Sequence, residues 1–134
     1  MPLHLERPDY TWFLRGASGD GALVNERRLT GSFVIAPEAL VEDWPVQDAA
    51  TMVPDDLAPL LELAPELVVL GTGARQVFPP AQVMAACLRL GIGIEVMAND
   101  AAARTYSVLA GEGRRVVAGF IVTPRTDATR SALS

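Results

Sequence analysis

No lysine occurs in this 134-residue chain, and histidine and cysteine occur once each, at His4 and Cys87. A single cysteine excludes an internal disulfide and a cysteine-cluster metal site, and permits a reducing compartment. A single histidine is too few for a metal site of ordinary ligand count. No run approaches the roughly 18 apolar residues that a membrane-crossing helix needs. The start, Met1-Pro-Leu-His-Leu-Glu-Arg7, also lacks a basic stretch followed by an apolar core. A soluble, cytoplasmic protein with no direct membrane insertion is therefore expected. Aromatic residues make up only 6% of the chain, so Trp12 and Trp44 are assigned to core or edge packing rather than to anchoring a partner.

Eleven basic residues, all of them arginine, face sixteen acidic ones, and the net charge of −5 repels phosphate backbones. Nucleic acid is not an expected partner. The lysine deficit is read as nucleotide composition rather than chemistry, although arginine does offer a forked pairing that lysine lacks. Half of the residues are hydrophobic, which argues against disorder and leaves enough apolar surface to cover a sheet with helices. The length fits one domain. Its expected bounds are residues 9–122, with a loose arm over 1–8 and a flexible tail over 123–134.

Tyr10, Trp12 and Leu14 alternate with Thr11, Phe13 and Arg15, which predicts a first strand. A glycine-rich turn over 16–21, a second strand near 22–25, a turn at 25–28 and a strand over 32–36 ended by Pro37 follow. The first third is thus expected to be an antiparallel meander. Leu57, Leu60, Leu61 and Ala64 recur at helical spacing, predicting a helix capped by Asp56, with Pro59 in its first turn and Pro65 closing it. Residues 67–70, Leu-Val-Val-Leu, read as a strand buried on both faces. After the loop 71–78 and Pro79-Pro80, a second helix is expected, with Val83, Met84, Cys87, Leu88 and Leu90 as its apolar stripe and Gly91 as its terminator. A strand over 92–97, a helix capped by Asn99 with Ala102, Thr105, Tyr106 and Leu109 turned inward, and a last strand over 116–122 complete the chain.

Residues 67–97 read strand, loop, helix, strand, a connection long enough to join two parallel strands by a right-handed crossover. The carboxyl ends of both strands then share one edge, where ligands of open α/β sheets usually sit. Gly71, Thr72, Gly73, Arg75, the helix start at Asn99, and Arg104 could together hold an anion there. The competing reading is that the glycines satisfy backbone angles, Asn99 only caps, and the arginines are solvated or paired with carboxylates such as Asp100. A bare Gly-x-Gly lacks the later glycine of a dinucleotide fingerprint, and no phosphate-loop lysine is present. Asp100 places negative charge at the helix terminus that an anion would need. No nucleophile with an adjacent base stands out. Cys87 lies on an apolar stripe, and Thr72, Ser107 and Tyr106 carry hydroxyls without one. Tyr106 is expected to be buried with its hydroxyl satisfied. No catalytic residue, metal or cofactor is expected.

Val24-Asn25, Ser32-Phe-Val-Ile-Ala-Pro37, Trp44, Gly71-Thr-Gly73, Glu95-Val-Met97, Ala102-Ala-Arg-Thr-Tyr106 and Glu112-Gly-Arg114, taken in this order, resemble a small, largely uncharacterised family. Its eukaryotic members include the mitochondrial respiratory complex I assembly factor three and an adipogenesis-associated Mth938-domain protein. The resemblance runs from about Asp9 to Val122. It implies an α/β fold, a three-layer β+α/β/α domain around a mixed central sheet, and makes the Gly71 loop and the 102–106 helix signature regions without making either catalytic. The chain departs from the family's pattern at Ala98, Ala103 and Ser107, so a role needing a carboxylate at 98 or a thiol at 103 is not carried over. The resemblance further implies a non-enzymatic accessory protein that binds other proteins, an assembly factor for a respiratory or membrane-associated complex. The alternative is a small-molecule or anion binder, or an enzyme, using the strand-end crevice at the Gly71 loop. A protein partner is expected, while neither its identity nor the oligomeric state follows from the sequence.

Overall fold

The first three strands are short and pair with their chain neighbours: β1 (Leu14–Ala17), β2 (Ala22–Val24) and β3 (Arg27–Leu29) form an antiparallel sheet in that order. These coordinates are a computed structural model that describes residues 10–124. The expected arm, His4 and the expected tail beyond residue 124 lie outside the described residues. β1 begins four residues later than the alternation predicted, because the amides of Thr11 and Trp12 both donate to the Pro37 carbonyl, at 3.0 and 2.9 Å. Asn25 takes a left-handed φ of 51° in the β2–β3 turn, which asparagine tolerates better than most residues. Its side chain accepts the Phe13 N–H at 2.9 Å and donates to the Thr11 carbonyl at 3.0 Å, pinning the entry to β1. The expected turn over 25–28 is shorter than predicted and opens into β3.

The predicted meander is divided between two sheets. β4 (Phe33–Ala36) and β5 (Ala39–Val41) leave the first sheet and join β6 (Leu67–Gly71), β7 (Gly93–Met97) and β8 (Val116–Phe120) in the order β5-β4-β8-β6-β7. β4 is antiparallel to β5 and β8, while β6 is parallel to β7 and β8, so this sheet is mixed. The physical reason lies in β4: all four of its residues are buried, which suits an interior strand covered on both faces rather than one half-exposed in a meander.

Alternate residues of the central strands enter two cores. Phe33, Ile35, Val69, Ala118 and Phe120 face the three-stranded sheet and α3 (Asn99–Gly111), and the Phe33 and Phe120 rings stack at 5.1 Å. Val34, Val68, Leu70, Val117 and Ile121 face α1 (Ala58–Leu61) and α2 (Ala81–Leu88). The three layers are therefore β+α, β and α. In the second core Trp44 packs against Gly119, where a Cβ would stand 2.7 Å from the indole, and its Nε1–H donates to the Asp56 carbonyl at 2.9 Å.

Three helix expectations change. The first helix is only one turn long and is entered through a 3₁₀ turn at Pro54–Leu57, so Asp56 is not its cap; the Asp56 carboxylate accepts the Val53 N–H at 2.9 Å. Ala64 lies past this helix, exposed. Leu88 and Leu90 are 61% and 62% exposed. Cys87 faces the sheet, so Leu88, about 100° further round, faces outward, and Leu90 lies beyond the helix. Gly91, at a φ of 74°, does end this segment. The third helix keeps its inward stripe, with Ala102 and Tyr106 fully buried.

Candidate functional site

β6 ends where β7 and β8 flank it on both sides, with Gly71 opposite Met97 and Phe120. Its two glycines have different causes. A Cβ at Gly71 would lie 2.5 Å from Asn99 Oδ1 and 2.9 Å from the Phe120 ring, so close approach requires glycine there. A Cβ at Gly73 would meet the Ile121 carbonyl at an ordinary 3.8 Å, but its φ of 103° is a conformation that side chains rarely adopt.

Between them Thr72 organises the loop. Its N–H donates to the Met97 carbonyl at 3.0 Å, its hydroxyl donates to the Arg75 carbonyl at 2.6 Å, and the same oxygen accepts the Val77 N–H at 3.0 Å. Asn99 fastens the loop from the other strand end. Fully buried, it accepts the Gly73 N–H through Oδ1 at 3.0 Å and donates through Nδ2 to the Ser18 and Ile121 carbonyls at 2.8 and 2.9 Å. Its backbone N–H donates to the Gly73 carbonyl at 2.8 Å. The predicted cap is thus a cross-link: Ala98 precedes the helix without a side-chain cap bond, and the Asn99 amide joins β6, the β1–β2 turn and the end of β8. Asparagine fits this task because it offers one acceptor and two donors to three fixed backbone groups.

Gly71, Thr72, Gly73 and Asn99 are therefore brought together. Beside them opens a crevice of about 500 Å³, lined by Thr72, Gly73 and Arg75 together with Asp20 and Asp48. The two aspartates oppose any anion drawn by Arg75. Arg104 is exposed on α3 and does not line the crevice. Elsewhere Cys87 is fully buried, and burial pushes its thiol up, away from the thiolate form a nucleophile needs. Tyr106 is buried as well, and its hydroxyl donates to the Trp12 carbonyl at 2.8 Å. Desolvation first, then the charges of Tyr10 and Glu38, hold that phenol far above its ordinary value. Among the described residues no three acidic, histidine or cysteine side chains cluster as metal ligands, and no helix is long and apolar enough to cross a membrane.

Sequence reasoning missed the division of the strands and a larger hollow at the other end of the sheet, bordered by Arg114 and Arg115. Its one sequence signal is the adjacent arginine pair after Gly113.

The profile of the protein-of-unknown-function family DUF498/DUF598 matches residues 14–121. The chain belongs to this family. It is 33% identical over 106 residues to the human NADH dehydrogenase [ubiquinone] 1 alpha subcomplex assembly factor 3, covering 78% of this chain and 57% of that protein. It is 31% identical over 71 residues to a 13 kDa major membrane protein of Francisella tularensis, covering 53% and 58% of the two chains. The chain thus spans a little under three fifths of the length of these curated relatives. An NMR structure from Xanthomonas campestris is 53% identical and superposes with a TM-score of 0.77 over 91% of this chain and 92% of that one. The resemblance carried by the Gly71 loop, the Ser32–Pro37 strand and the third helix is therefore a family relationship, and the three-layer fold it implied is the one observed.

Proposed function

We propose that this chain is a non-enzymatic accessory protein that binds other proteins, acting from the cytoplasm as an assembly factor for a respiratory or membrane-associated complex. The observation that carries the reading is the 33% identity, over most of this domain, to a human protein named as an assembly factor of NADH dehydrogenase. The internal use of the loop's polar groups supports it: Thr72 and Asn99, which a catalytic or ligand-binding loop would present outward, are hydrogen-bonded within the fold. The assembly target is not carried over with the relationship, since fold and family do not set a partner. The test is deletion of the gene in native cells, with respiratory complexes resolved on native gels and a tagged full chain purified under mild conditions. The expected result is depleted assembled complex with normal subunit synthesis, and recovery of its subunits with the tagged chain. Unchanged complexes and recovery of no subunit would overturn the reading.

A second reading, binding of a small molecule or anion at the Gly71 loop, is favoured by the crevice that Thr72, Gly73 and Arg75 line, with Gly71 and Asn99 shaping the loop behind it and Arg104 lying outside it. Anion titration should then raise the melting temperature, and Arg75→Ala should remove that rise while leaving the fold intact. No rise at millimolar anion excludes it.

A further inference from the structure

The larger hollow lies at the opposite end of the sheet, where the carboxyl end of α3 and the β4–β5 turn meet the start of β8. It is a groove of about 1100 Å³, slightly above the range of roughly 300 to 1,000 Å³ usual for small-molecule sites. Tyr10, Phe13, Leu14, Pro37, Leu63 and Val116 give it an apolar lining.

The two arginines beside it are used differently. Arg114 donates through Nε to the Glu66 carboxylate at 3.4 Å. Arg115 is held by three bonds to the turn before β6. Its N–H donates to Glu66 Oε1 at 3.0 Å, its carbonyl accepts the Glu66 N–H at 2.9 Å, and its Nε donates to the Ala64 carbonyl at 3.3 Å. Ala64 presents that carbonyl from a left-handed φ of 54°, a conformation alanine rarely adopts. Among the described residues no carboxylate lies within ion-pair distance of the Arg115 guanidinium. Only the Nε bond to Ala64 engages the side chain, which is exposed, and among the described residues no hydrogen bond or ion pair takes up its terminal nitrogens. A guanidinium bordering an apolar groove suits a planar carboxylate, which takes two parallel N–H donors. Glu38 also lines the groove, accepting the Thr11 hydroxyl at 2.6 Å, so the site tolerates one added negative charge better than two.

We propose that this groove binds a small monocarboxylic acid with an apolar tail, its carboxylate on Arg115 and its tail along Tyr10, Phe13 and Leu63. The site is separate from the strand-end crevice and goes beyond the accessory role.

Titration of the full chain with 4-phenylbutyrate, and with 4-phenylbutanol as the uncharged control, followed by amide NMR shifts, tests it. A charge-assisted hydrogen bond is worth about 1.5–3 kcal/mol, so the acid should bind at least about tenfold more tightly than the alcohol. Shifts should centre on Arg115, Val116 and Ala39. Arg115→Gln should remove the preference for the acid, and Glu38→Gln should strengthen acid binding. Thermal melts verify that each variant folds, and the acid–alcohol comparison and the Glu38→Gln arm stand even where Arg115→Gln does not. Equal affinity for acid and alcohol, no shift at millimolar acid, or shifts centred on Thr72 and Gly73 would each overturn the proposal.

Discussion

Asn99→Ala removes a buried side chain that makes three hydrogen bonds, one accepted from Gly73 and two donated to Ser18 and Ile121. Each such bond contributes about 0.5–1.5 kcal/mol net, and a buried partner left unsatisfied pushes the loss toward the upper value. The expected destabilisation is about 3 kcal/mol, a large share of the roughly 5–15 kcal/mol that holds a domain folded. Urea unfolding reads it directly: with a slope of about 1–3 kcal/mol/M, the midpoint should fall by about 1–3 M at unchanged slope. Asn99→Asp keeps the acceptor for Gly73 but faces a buried negative charge toward two carbonyls. Its loss at neutral pH should be at least as large and should shrink on acidification, as the carboxyl protonates. Gly71→Ala supplies the coupling test, because its Cβ would meet Asn99 Oδ1 at 2.5 Å. In the Asn99→Ala background that collision is gone, so the double variant should lose less than the sum of the singles. A loss below about 0.5 kcal/mol for Asn99→Ala, or strict additivity with Gly71→Ala, refutes the cross-link.

Gly119→Ala should destabilise by about 1–3 kcal/mol, since its Cβ would stand 2.7 Å from the Trp44 ring in a packed core, and thermal melting against wild type measures it. Glu66 is held below its ordinary value of 4.5, first by the Arg115 N–H and then by Arg114, against some desolvation. Its contribution is therefore present above pH 4.5 and lost as pH falls through the lowered value; Glu66→Gln should flatten the acid limb of the stability–pH curve, and an unchanged limb counts against the contact. Tyr106 is raised above 10.0, so its contribution is intact below pH 10 and lost as alkali ionises the unfolded chain first. Tyr106→Phe should cost about 1 kcal/mol at neutral pH and remove that alkaline loss, both read by urea unfolding across pH.

Much of the second half of the fold was legible in the sequence because its signals are local. Four branched residues at 67–70 announce a doubly covered strand, the helix between β6 and β7 forces them parallel, and the 102–106 stripe orients α3. The first half was less legible for the opposite reason. β3 carries two exposed arginines and just one buried residue, so no apolar alternation marks it, and its partner is set by the β2–β3 turn. The choice of β4 to pair with β8, more than eighty residues away, rests on burial of both faces, which only the assembled layers supply.

At the candidate site the sequence determined the parts: a strand ending in Gly-Thr-Gly, a helix beginning at Asn99, and an arginine pair after Gly113. Tertiary structure decided what they do. An asparagine before a helix can cap it or bond elsewhere, and the choice depends on whether distant carbonyls lie within reach; here Ser18 and Ile121 do, across 81 and 22 residues. Likewise, which arginine is matched and which is left over follows from Glu66 and Ala64, some fifty residues earlier, meeting the start of β8. Local pattern records the conformation of a segment, whereas hydrogen-bond partners and hollows arise only when segments remote in the chain are packed side by side.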